Sequence, residues 1–87
     1  MKISDVHKRA HVGWDVTVSA VGEGSEEVAS VFVKISGFPE PIEKPDPTVN
    51  SWQKSYRQKG TFPGDNKLQV TVTDTQGAET RFEDQWS

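Results

Sequence analysis

Three separated runs with an apolar residue at every second position constrain this chain more than anything else in it. In the first, Ala10, Val12, Trp14, Val16, Val18 and Ala20 alternate with His11, Gly13, Asp15, Thr17 and Ser19. Successive side chains of an extended backbone point to opposite faces, so this spacing predicts a strand from Ala10 with one buried face. In the second, Ala29, Val31, Val33 and Ile35 share a side opposite Ser30, Lys34 and Ser36, which leaves Phe32 as the large apolar residue facing outward. The third places Leu68, Val70 and Val72 on one face. A helix would scatter each set around its circumference.

Turn signals separate the runs. "GEGSEE" from Gly22 to Glu27 is charged and flexible, and Gly37 ends the second strand. Pro39, Pro41, Pro45 and Pro47 are too closely spaced for a central strand or an unbroken helix, because each removes a backbone donor. This stretch therefore reads as a loop with a short edge strand around Ile42. Residues 48–59 admit two readings. As a helix, Asp46 caps, Pro47 takes the first position and Gly60 terminates; as a strand, Trp52 and Tyr56 share a face with Lys54 between them. The poor helix formers Thr48, Val49, Asn50 and Ser51 favour the strand. "TFPGD" reads as a turn, and "DTQG" reverses the chain with Asp74 bonding the turn backbone and Gly77 taking a positive φ. A final strand through Thr80, Phe82 and Trp86 carries Asp84 on the same side, which predicts a wet position at a sheet end or edge.

With a further piece around Ile3 to Val6, the chain has six or seven short strands in 87 residues. That length supports one domain, 1–87, and the spacing predicts an all-β antiparallel sandwich. The expected core is Val12, Trp14, Val16, Val18, Val31, Val33, Ile35, Trp52, Leu68, Val70, Val72 and Phe82. The chain has no cysteine, so packing alone must hold it. A formal net charge of −3 argues against a general nucleic-acid binder, and no apolar run has the length of a signal peptide or a membrane span. The chain is expected to be cytoplasmic if complete as written, and extracellular, cell-surface or virion-borne if it is a domain of a longer protein.

The order "VTVSAV", "VFVKISG", "SWQKSY" and "LQVTVTDTQGAE" resembles bacterial immunoglobulin-like domains, the modules of surface adhesins, secreted glycosidases and phage virion proteins. Trp52, Gly64, Val70, Val72, Asp74 and Gly77 occupy the places of that family's tryptophan strand, glycine turn and V-x-V strand ending in D-x-x-G. Thr73 departs from the usual small residue before the Asp, and "FPEPIEKPDP" is more proline-rich than a plain spacer needs. The resemblance implies an immunoglobulin-like sandwich and a non-catalytic module that spaces, presents or binds.

Candidate contact residues follow from exposure and composition. Phe38 and Ile42 in the proline-rich loop, with outward Phe32, form the expected surface for a protein partner. "WQKSYRQK" interleaves Trp52 and Tyr56 with Lys54 and Arg57, the composition of a stacking platform for a sugar or a nucleic acid. The competing reading makes those aromatics core and the basic residues a solvated face. His7 and His11 form H-x-x-x-H, but on strands they lie too far apart to share a metal and are expected to face solvent. Asp74 reads as a turn-former rather than a calcium ligand, and neither Asn50 nor Asn66 lies in the last strand, where an isopeptide cross-link would need one. No catalytic triad or phosphate loop is legible, so no enzyme activity, cofactor or metal is expected.

Overall fold

The computed structural model describes residues 1–58 and 65–87, and over them the chain forms strands and no helix. They are β1 (Lys2–Arg9), β2 (Trp14–Val21), β3 (Val28–Ile35), β4 (Phe38–Pro39), β5 (Ser51–Arg57), β6 (Asn66–Asp74) and β7 (Glu79–Trp86). One sheet has the order β1-β2-β5 and the other β4-β3-β6-β7, with every pairing antiparallel. The chain thus changes sheet between β2 and β3, between β4 and β5, and between β5 and β6. Within the ambiguous segment Ser51–Arg57 is a strand, Lys59 lying outside the described residues, and the all-β sandwich is observed. The "TFPGD" turn with Pro63 and Gly64, and the helix stop at Gly60, lie outside the described residues.

The alternating runs build the inter-sheet layer. Val16, Val18 and Ala20 of β2 face Val31, Val33 and Ile35 of β3 and Leu68, Val70 and Val72 of β6, all almost fully buried. Burying one such side chain completely is worth about 1.5–3 kcal/mol, so these nine residues dominate stability. Ile3, Val28, Tyr56 and Trp86 complete the buried set, and Trp14, Trp52 and Phe82 pack against it half-buried.

Five expectations need correction. The first strand of the alternating run begins at Trp14, because Ala10–Gly13 forms the β1–β2 loop: the Ala10 amide donates to the Gly13 carbonyl at 3.1 Å and Gly13 has φ 84°. Val12 sits in that loop, 49% exposed, rather than in the core. β1 extends to Arg9 because it pairs along its whole length with β2, from Lys2↔Val21 to Arg9↔Trp14. Val28 rather than Ala29 joins the core, since the register against β6 jumps from Val28↔Asp74 to Ser30↔Thr73, and that bulge shifts the phase by one residue. The edge strand falls at Phe38–Pro39 instead of Ile42, because Ser36 (φ 49°) and Gly37 (φ 86°) turn the chain back at once. Downstream, the proline-rich segment stays tied to β3: Glu40 N–H donates to Val33 O, and Glu43 and Val31 exchange both backbone bonds at 2.8 and 3.0 Å.

Turns at one pole of the sandwich behave as read. The Asp74 carboxylate accepts the Gln76 and Ala78 amides, both at 2.9 Å, and Gly77 has φ 87°. Beside it, the Asn50 side-chain amide donates to the carbonyls of Gly22, Gly24 and Glu26, the last at 2.7 Å. At the other pole the buried Gln58 amide donates to Asn66 Oδ1 at 2.9 Å and to Ser36 Oγ at 3.1 Å. Asn66 in turn donates to the Trp86 carbonyl. β1 starts at the Asn50 pole, opposite Val21, and β7 ends at the Gln58 pole, opposite Asn66. First and last strands therefore open at opposite ends of a body measuring 40 × 19 × 18 Å.

Candidate functional site

A sandwich has two open sides where the edge strands of its sheets face one another, and in this chain polar groups reach across both. On one side Lys54 of β5 forms an ion pair with Glu43. On the other, β1 and β7 face each other and bring Asp5, His7 and Asp84 together.

The period of two explains the second cluster. Ile3, Asp5 and His7 share the inner face of β1, beside Ala20, Val18 and Val16 of β2. Phe82, Asp84 and Trp86 share the inner face of β7, beside Val70, Leu68 and Asn66 of β6. His7 Nδ1 lies 3.7 Å from Asp5 Oδ2 and 3.6 Å from Asp84 Oδ2. The imidazole stacks on Trp86 at 4.3 Å between centroids and 7° between planes, and Trp14 meets both rings edge-on. The Arg9 guanidinium carbon lies over the Trp14 ring, 5.3 Å from its centroid. His7 is therefore held by aromatic walls rather than facing solvent, whereas His11 is exposed.

Burial pushes the Asp5 carboxyl up to about 6, and hydrogen bonding to Asp84 and its negative charge act in the same direction, against His7. Asp84, which accepts that bond, is lowered. The pair thus shares a proton through mildly acidic pH. Because Asp5 is raised in the folded chain, its favourable contribution is complete below its ordinary value of 3.8 and is lost as pH rises through about 6. Asp84 has the opposite sign, its contribution being lost only as pH falls through its lowered value. In a chelator-containing buffer the melting temperature should accordingly decline from pH 5 to pH 8. Asp5→Asn, which presents an N–H to Asp84 at every pH, should remove that decline and stabilise the chain at pH 8 by about 1–2 kcal/mol after solvent screening. Thermal melts by circular dichroism decide it; an unchanged decline in the variant would detach the effect from Asp5.

The residues expected to make contacts do not form one surface. Lys54 and Tyr56 lie on the inner face of β5 with Trp52, and Tyr56 is only 6% exposed. Burial, aided by the charges of Glu43 and Glu40, pushes its phenol up to about 12. Lys54 sits 5.3 Å from that ring while paired with Glu43. Arg57 points to the opposite face and donates to Asp15 at 2.6 Å. The stacking platform is thus taken apart: its aromatic rings belong to the inter-sheet layer. Phe32 lies on the outer face of the four-stranded sheet, lining a shallow depression with Lys34, Gln69, Thr71, Arg81 and Glu83. Phe38 and Ile42 are 59% and 55% exposed on and beyond β4.

No helix among the described residues is long and apolar enough to cross a membrane. No family model, curated protein or solved structure matches this chain.

Proposed function

We propose that this chain is a non-catalytic immunoglobulin-like module that spaces or presents binding surfaces within a larger extracellular or virion protein. One observation carries the reading: the first, second and fifth strands form one sheet and the third, sixth and seventh the body of the other, with the first and last strands opening at opposite poles. That order resembles the strand order of an immunoglobulin sandwich, with the two-residue β4 paired beside β3, and it supports the reading. Opposite poles let such units follow one another in a line, each adding its 40 Å length to the reach of the whole. On one open side the Lys54–Glu43 ion pair ties the sheets together, and on the other the rings of His7 and Trp86 stack across the gap between β1 and β7.

A self-contained binding protein is the second reading. It is favoured by the display of Phe38 and Ile42 on a segment whose backbone is pinned to β3, so little conformational freedom is lost on contact. The native polypeptide bearing this sequence separates the two when its intact mass is measured in secreted, particle-bound and intracellular fractions of its source. The module reading expects a species much larger than 9.7 kDa outside the cell or on a particle. An intracellular species of that small mass would overturn it in favour of the binder, in which Phe38→Ala and Ile42→Ala should weaken partner capture and leave the fold intact.

A further inference from the structure

The groups gathered between β1 and β7 have the composition of a metal centre. We propose that Asp5, His7 and Asp84 bind one divalent ion of the zinc class, His7 through Nδ1 and each aspartate through one carboxylate oxygen. Their ligand atoms all lie within 4.8 Å of one another. Tetrahedral bonds of about 2.0–2.2 Å place neighbouring ligand atoms about 3.3–3.6 Å apart. The His7–Asp5 and His7–Asp84 separations, 3.7 and 3.6 Å, are within a few tenths of an ångström of that edge.

A second observation points to a ligand independently of the grouping. The Asp5 side chain is only 7% exposed, and apart from the proton it shares with Asp84, which a cation would displace, its Oδ2 has no donor; the buried Nδ1 of His7 has no hydrogen-bond partner. Buried polar atoms without partners are uncommon, and these two face each other at a distance too long for a hydrogen bond and suited to an intervening cation. Two carboxylates against one imidazole supply negative charge for it. His7 and Asp84 remain about one-third exposed, 31% and 33%, which leaves an entry path and room for water as fourth ligand. One nitrogen and two oxygens suit zinc; calcium, which takes six to eight oxygens, is poorly served. Stacking on Trp86 fixes the imidazole plane before the ion arrives, so little ordering cost opposes binding. Once bound, the ion would join β1 to β7 and so join the two sheets.

Calorimetric titration of the chelator-stripped chain with zinc chloride tests this, alongside calcium chloride and three variants. His7→Phe keeps a ring on Trp86 and removes the nitrogen, Asp84→Asn weakens one oxygen ligand, and His11→Ala removes the other histidine. The expected result is one zinc per wild-type chain in the micromolar range, a raised melting temperature with zinc and no response to calcium. Affinity should fall by about tenfold or more in His7→Phe and Asp84→Asn and stay unchanged in His11→Ala. Should His7→Phe fail to fold, Asp84→Asn decides. Absence of wild-type binding up to about 1 mM zinc overturns the proposal, as does binding that survives in a folded His7→Phe or Asp84→Asn chain, or that disappears in His11→Ala.

Discussion

Val70→Asp is expected to leave the chain unfolded at 25 °C. Val70 is 2% exposed at the middle of β6, paired on one side with Val33 and on the other with Phe82. A carboxylate there would enter the apolar inter-sheet layer, losing its hydration with no cation placed to pair with it. Removing the valine side chain alone forfeits about 1.5–3 kcal/mol, and charge burial adds several more. A domain of this size holds only about 5–15 kcal/mol in total, and a chain without cysteine has no cross-link to limit the loss. Circular dichroism and one-dimensional proton NMR decide the matter. A dispersed spectrum with wild-type melting would mean that Val70 does not face the core.

Gly22→Ala is expected to cost about 2–4 kcal/mol, the range of mutations that force a packed backbone apart. A Cβ on Gly22 would lie 2.2 Å from the Glu26 carbonyl oxygen and 2.8 Å from the Asn50 amide nitrogen. Both neighbours are fixed: Asn50 Nδ2 bonds that carbonyl at 2.7 Å, and the Gly22 amide donates to the Asn50 carbonyl at 2.7 Å. The loop can yield only by surrendering the contacts that close this pole. Asn50→Ala removes the side-chain bonds without adding bulk and should cost less, about 1–2 kcal/mol. In the double variant the two losses should be less than additive, because the Glu26 carbonyl, no longer held by the Asn50 amide, can move away from the methyl. Urea denaturation of the four proteins measures this, and an undiminished Gly22→Ala protein would contradict the close approach.

Legibility followed the burial of each strand. β2, β3 and β6 sit inside their sheets or against the core along most of their length, so their inner faces are aliphatic and their alternation is visible. β1 and β7 are edge strands whose inner faces mix buried apolar residues with partly exposed polar ones. Ile3-Asp5-His7 and Phe82-Asp84-Trp86 therefore read as broken patterns, although each keeps the period of two. Those two irregularities were the available signal for the Asp5–His7–Asp84 cluster: an aspartate at the core phase on two different edge strands. Their pairing could not be read, because the groups come from opposite ends of the chain and only sheet order makes them neighbours. Bulging at Ala29 hid the role of Val28 for a similar reason, since a one-residue shift exchanges the inner and outer faces. Lys54 looked out of place between Trp52 and Tyr56 only until Glu43, carried by the pinned proline-rich segment, was brought opposite it. Asp74 and Gly77 were legible because turn chemistry is local.

A linear module requires this strand order and requires first and last strands that open at opposite poles, and one distance tests both. Because the chain has no native cysteine, Lys2→Cys and Gln85→Cys can carry spin labels without competing sites, and both positions are exposed. Asp84 lies beside His7, and the inter-sheet alignment puts Gln85 close to the His7 level, five residues along β1 from Lys2. At about 3.3 Å per residue, plus the spacing between sheets of about 10 Å, the backbone separation is about 20 Å. Double electron–electron resonance should give a single distribution centred at about 20–30 Å once label length is included. A distribution concentrated below about 15 Å would place both strand ends at one pole and contradict the fold order and the linear module built on it.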